Sequence, residues 1–135
     1  MTYIVENSAY PMRILVVEDD SEMRETLCEA LADRGFEPLA ASNGEEALDH
    51  LRAWSEPPSL ILLDLMMPVL DGRGFRSAQL AEPAFRAIPV IVLTAQSDVE
   101  QVCAEMSVDA YLRKPVRLDP LVTLIRRQVA AAGAS

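Results

Sequence analysis

Cysteine, aromatic residues and positive charge are all in short supply in this chain. Its two cysteines, Cys28 and Cys103, lie far apart with no CxxC spacing, which argues against a zinc site or a disulfide framework and fits a reducing, cytoplasmic setting. Twelve basic residues stand against 21 acidic ones, for a net charge of -9. Such a chain repels nucleic-acid phosphates rather than neutralising them, so direct DNA or RNA binding is not expected. No stretch approaches the roughly 18 uncharged apolar residues of a membrane span. The N-terminal MTYIVENSAYP lacks the basic start and apolar block of a signal peptide and is expected to form an arm, residues 1–11, outside the folded core.

Apolar content is plentiful by contrast. Half of the 135 residues are apolar, enough for one domain around a single core. Three short runs, Arg13 to Val17, Leu60 to Leu63 and Val90 to Leu93, suit strands buried on both faces. Glu37 to Ala40 and Ala110 to Leu112 are weaker strand candidates. Between them the spacing turns helical: Met23, Leu27 and Leu31 recur at i, i+4 and i+8 across Ser21 to Arg34, with Ser21 as the expected N-cap and Gly35 as the stop. Ala47, Leu48 and Leu51 repeat the pattern across Asn43 to Trp54 after an Asn-Gly start. Phe75 to Phe85 (interrupted by Pro83), Asp98 to Met106 and Leu118 to Ala131 supply three further helices, followed by a short tail. Five strands alternating with five helices imply an α/β fold, a parallel sheet with helices on both faces and right-handed crossovers.

In such a sheet the functional crevice lies at the carboxyl ends of the strands, and there the chemistry collects. RILVVEDD ends strand 1 on three consecutive carboxylates, Glu18, Asp19 and Asp20; LILLDLMMPVLDG puts Asp64 after four apolar residues. Carboxylates facing one another across neighbouring strands repel, and at least one pKa rises unless a cation lies between them. Hard divalent cations take carboxylate and carbonyl oxygens, so the acidic cluster suits Mg²⁺ or Mn²⁺. Strand 4 ends on Thr94 and strand 5 on Lys114. Acid, hydroxyl and amine on one rim make a place for a phosphoryl group, with a carboxylate as the nucleophile.

ILVVEDD, LLDLMMPVLDG, VLTA and YLRKP, in this order on successive strand ends, together resemble the receiver domain of two-component response regulators, over roughly Arg13 to Gln128. The resemblance implies a flavodoxin-like, doubly wound sheet of order 2-1-3-4-5 and a receiver domain spanning 12–131, with 132–135 as a C-terminal tail. It implies that Asp64 accepts a phosphoryl group from a phosphohistidine on a sensor histidine kinase or histidine phosphotransfer protein. By the same resemblance Asp19 and Asp64 hold Mg²⁺ directly, Glu18 holds it through water, and the backbone carbonyl of Met66 completes the protein ligands. Thr94 and Tyr111 match the switch hydroxyl and switch aromatic, which would remodel the face of helix 4, strand 5 and helix 5 for a downstream protein target. Asp20 matches no ligand and is expected at the start of the first helix, where a carboxylate favours the dipole.

Lys114-Pro115 resembles the family's cis peptide. Fewer residues than usual separate Thr94 from Tyr111, and Ser107-Val108 stands where many receivers carry Gly-Ala, so helix 4 or its preceding loop is expected to be short. The apolar face of helix 5 (Leu118, Leu121, Leu124, Ile125) suits either covering the sheet or pairing with a second copy. A start at Met1 and a fifth helix running to AAAGAS fit a single-domain regulator.

Rival readings are a receiver-like binding or dimerisation module that works without phosphorylation, an aspartate-nucleophile phosphohydrolase, and a flavin carrier on the same kind of sheet. The intact set of Asp19, Asp64, Thr94 and Lys114 disfavours the first. Met66 stands where a hydrolase would place its second acid, and the negative EDDSEM loop would repel a flavin phosphate. His50 is expected on the surface and Trp54 as a packing residue at a helix end; the two thiols are expected to be neutral.

Overall fold

A computed structural model describes residues 11–134 of the chain. Strands β1 (Arg13–Val17), β2 (Glu37–Ala41), β3 (Leu60–Asp64), β4 (Val90–Thr94) and β5 (Ala110–Arg113) alternate with helices α1 (Ser21–Asp33), α2 (Gly44–Ala53), α3 (Gly72–Ala81), α4 (Val99–Glu105) and α5 (Leu118–Ala134). All strand pairs are parallel, in the order β2-β1-β3-β4-β5, as expected for a doubly wound α/β fold. No helix among the described residues is long and apolar enough to cross a membrane.

The apolar runs are continuous because both sheet faces are covered. Side chains alternate across a strand, so Leu15, Val17, Ile61, Leu63 and Val92 join one core with α2, α3 and α4. Ile14, Val16, Leu60, Leu62 and Ile91 join the other with α1 and α5. Each fully buried aliphatic side chain contributes about 1.5–3 kcal/mol relative to its exposed state. Leu121 and Ile125 of α5 are completely buried, and Leu118 and Leu124 pack partly buried against the same core, so that helix's apolar face covers the sheet. Trp54 packs at the end of α2, between the His50 ring, stacked at 5.2 Å, and the Arg13 guanidinium at 5.1 Å.

The structure corrects the ends of three helices. Asp20, not Ser21, is the N-cap of α1: its side chain accepts from the Met23 N–H at 3.0 Å. Two adjacent residues could have capped, and the extended backbone at Asp20 decides between them. Helix α3 begins at Gly72 rather than Phe75, because Asp71 caps it by accepting from Gly74 N–H at 2.9 Å, and it ends at Ala81, ahead of Pro83. Helix α5 runs to Ala134, three residues beyond the expected end. Asn43 caps α2 as its Asn-Gly start suggested. Of the expected N-terminal arm, residues 1–10 lie outside the described residues.

Two backbone contacts hold the loop that follows Asp64. Gly44 N–H, at the start of α2, donates to the Leu70 carbonyl at 3.0 Å, and Gly72 N–H donates to the Leu65 carbonyl at 3.1 Å, so the β3–α3 loop is braced from both sides. A Cβ on Gly44 would lie 2.6 Å from the Leu70 oxygen, closer than real contacts allow. Gly44→Ala is therefore expected to cost roughly 1–3 kcal/mol of stability through overpacking, measured as a lower urea midpoint with an unchanged slope.

Candidate functional site

The carboxyl edge of the sheet gathers the strand-end residues into one cleft of about 290 Å³, lined by Glu18, Asp19, Asp64, Thr94 and Lys114 among others. The register explains the convergence. Val17 pairs with Leu63, Asp64 with Leu93 and Thr94 with Arg113, so residues at or just past those pairs come out on one rim. Glu18 is 2% exposed and Asp64 4%, whereas Asp19 faces solvent. Carboxylate oxygens of these three lie within 4.8 Å of one another.

Two acids so close and so dry need a counter-charge. Lys114 supplies it: its Nζ donates to Glu18 Oε1 at 2.9 Å and lies 3.6 Å from Asp64 Oδ1. Burial pushes the Asp64 carboxyl up to about 7, reinforced by a shared hydrogen bond and repulsion from Glu18, while Lys114 and the Met66 N–H pull it down. For Lys114 burial favours the neutral amine, but bonding to Glu18 and the two carboxylate charges outweigh it and hold the ammonium above its ordinary value. The Lys114-Pro115 bond is cis, as expected.

The remaining groups are placed by backbone contacts. Met66 N–H donates to Asp64 Oδ1 at 3.3 Å, and the Met66 side chain is 65% exposed at the mouth of the cleft. Thr94, fully buried at the end of β4, accepts through Oγ1 from the Gln96 N–H at 3.2 Å, which leaves its own O–H for another acceptor. Lys114 N–H donates to the Thr94 carbonyl at 2.9 Å and locks the two strand ends together. Tyr111 sits apart from the cleft, half-buried on β5 against the core shared with α4. Its phenol is held above its ordinary pKa by lost hydration and by its hydrogen bond to Glu100. Asp20, expected at the start of the first helix, caps α1.

Sequence reasoning missed Arg24. Its Nη1 donates to the Glu18 carbonyl at 2.8 Å and the Asp19 carbonyl at 3.4 Å, fixing the backbone that carries both acids. A usable signal was present: a cation in the first turns of α1 opposes the helix dipole, which calls for a compensating partner. It also missed the Gly44 brace, because nothing local reveals that Leu70 lies against it.

The donor set fits a hard divalent cation, since it consists of three carboxylates whose oxygens lie within 4.8 Å of one another, with no thiolate or imidazole among them. A parallel α/β sheet carrying such a cluster and a lysine on its carboxyl edge defines a class, and comparison with known proteins narrows it. Residues 14–126 match the model of the response regulator receiver domain, and the chain belongs to that family. It is 38% identical over 122 residues to the response regulator MprA of Mycolicibacterium vanbaalenii, covering 86% of this chain and 49% of that protein. The chain spans about half the length of the curated relatives it matches. The signal receiver domain of a signal transduction histidine kinase from Syntrophus aciditrophicus superposes with a TM-score of 0.80 at 32% identity, over 89% of this chain and 91% of that one. The receiver domain of a sensor histidine kinase from Pseudomonas aeruginosa, solved with a magnesium ion coordinated in its active-site cleft, superposes with a TM-score of 0.81 at 25% identity, over 90% and 99% of the two chains.

The raised Asp64 carboxyl has a stability consequence. Between the ordinary carboxylate pKa near 3.8 and about 7, the folded protein keeps a proton that the unfolded chain has lost. Stability linked to Asp64 is thus complete at low pH and falls as pH rises through about 7. In the presence of a chelator, Asp64→Asn is expected to melt higher than the wild type at pH 8, with the gain disappearing by pH 4. A thermal-melt series over that range checks the sign.

Proposed function

We propose that this receiver is phosphorylated on Asp64 by a phosphohistidine of a sensor histidine kinase or histidine phosphotransfer protein, in a cation-dependent reaction in the cytoplasm. The observation that carries the reading is a buried aspartate at the end of β3, flanked by two further carboxylates and 3.6 Å from a lysine ammonium. Glu18, Asp19, Asp64 and the Met66 carbonyl would hold Mg²⁺ or Mn²⁺, which when bound offsets the negative charge of the incoming phosphoryl oxygens. An Asp64 carboxylate oxygen forms the new phosphorus–oxygen bond as the phosphorus–nitrogen bond of the donor breaks, giving an acyl phosphate. Lys114 would neutralise a phosphoryl oxygen, and the Thr94 O–H would donate to another.

Thr94 then links chemistry to output. A hydroxyl drawn toward the phosphoryl group pulls on the β4–α4 loop, and Tyr111, between β5 and α4, senses the change. The result is a population shift in the α4-β5-α5 face, which a downstream protein target would read. The net charge of -9 disfavours nucleic acid as a direct partner of these residues. The chain acts on itself, as a phosphoacceptor rather than as an enzyme with a separate substrate.

Intact-protein mass with acetyl phosphate tests the reading. A single phosphoryl adduct is expected that needs Mg²⁺ and is lost in Asp64→Asn; a folded wild type with no adduct would overturn it. The exposed Met66 side chain at the cleft mouth hinders attacking water, so Met66→Asn is expected to shorten the lifetime of the adduct. An unchanged dephosphorylation rate would remove Met66 from that role.

A further inference from the structure

Helix α4 has only seven residues, and its two ends are held differently. At its start Asp98 occupies the N-cap without a side-chain hydrogen bond. The loop before it is tied by an exposed side chain, Arg113, whose Nη1 donates to the Gln96 and Ser97 carbonyls at 3.0 and 3.3 Å. At its end a buried cation takes over. Arg76 of α3 donates through Nε to the Met106 carbonyl at 3.1 Å and through Nη2 to the Ser107 carbonyl at 2.7 Å, while Nη1 donates to Gln79 Oε1 at 2.8 Å. Gln79, itself fully buried, donates to the Phe85 and Ile88 carbonyls at 3.0 and 3.1 Å. Arg73 adds an ion pair to Glu105 at 3.1 Å.

The backbone at this end explains why a cation is needed. Val108 N–H bonds the Cys103 carbonyl at 2.8 Å and Ser107 N–H bonds the Ala104 carbonyl at 3.2 Å, the two bonds of a Schellman stop. The residue after the cap in such a stop is usually glycine, but Ser107 adopts φ of 58° here at some steric cost. Arg76 binds the Ser107 carbonyl and places positive charge at the negative end of the helix dipole. A buried guanidinium is itself unfavourable unless its N–H groups are satisfied, and here each nitrogen has a partner. The interaction therefore joins three segments, α3, the α3–β4 connection and the α4–β5 turn, through one side chain and its glutamine neighbour.

We propose that Arg76 is a positioning residue that pins the carboxyl end of α4 to α3, so that displacement at the Thr94 end becomes a swing of α4 about Met106 and Ser107 rather than a shift of the whole helix. The swing rests on the switch role given to Thr94 above; the pin does not. Cys103, buried on the core side of α4, is a native reporter of that pin.

The test is alkylation of Cys103 by iodoacetamide in the resting full chain, in a Cys28→Ser background. Arg76→Met is expected to speed labelling on the order of tenfold or more, as the loss of charge-assisted hydrogen bonds implies, with Arg76→Lys in between. Leu31→Ala, in the opposite core, calibrates how much labelling follows from general loss of stability. Labelling of Arg76→Met no faster than that control overturns the pin. A second arm measures amide exchange before and after acetyl phosphate, with the adduct quantified by mass in the same sample. Change across residues 95–102 with Met106 to Val108 unmoved supports the swing, and equal change at both ends overturns it. Absence of the adduct counts against Asp64 phosphorylation, and the labelling result still decides the pin.

Discussion

Two buried carboxylates sharing one ammonium at the carboxyl edge of a parallel sheet set the terms for the rest of this structure. Glu18 and Asp64 have almost no contact with water, and Lys114 supplies the counter-charge to both. The arrangement is poor insulation for a core but good preparation for chemistry: a net negative pocket that a divalent cation can complete, with an amine already in place. Ion pairs of this kind are seldom net stabilisers, and the cost of this one falls on a site rather than on the packing around it.

Topology makes that juxtaposition possible. Lys114 leaves the edge strand β5, crosses the end of β4 and reaches carboxylates from β3 and β1, a span that suits the long, flexible lysine stem. The same order places Thr94 between lysine and aspartate. The site residues sit on strand ends held by full backbone pairing, and the loops between them are held by single well-chosen contacts: Arg24 on the acidic turn, Gly44 on the β3–α3 loop, the Lys114 N–H on Thr94. Rigid strands with braced loops keep these strand-end groups in register.

The helices on the two sheet faces differ in how they are held. On one side α1 and α5 pack through aliphatic contacts, joined at the surface by the Arg34–Asp119 ion pair. On the other side α2, α3 and α4 add directional ties to their apolar core, Arg52 to Glu82, Arg73 to Glu105 and Arg76 to the end of α4. Hydrogen bonds and ion pairs fix orientation more sharply than apolar contacts do, so the short α4 owes its placement to α3 as well as to the sheet.

The five strands, the helix centres and the cluster at the strand ends were legible in the sequence because they depend on local pattern: apolar runs of strand length, residues at i and i+4, and charges where such runs stop. The caps of α1 and α3 were missed by one to three residues, since neighbouring side chains compete for the same backbone N–H groups and Gly72 and Gly74 hide a helical start. Whether Lys114 would meet Glu18, 96 positions away, was not legible beyond the resemblance, because the pairing follows from strand order and register. Nothing local sets Arg76 apart from the other charges of its helix, and only its burial against Met106 and Ser107 gives it a role. Local patterns determined which elements form and where the polar groups emerge. Tertiary packing alone decided which of those groups lose water, and so which acquire partners, shifted pKa values and work to do.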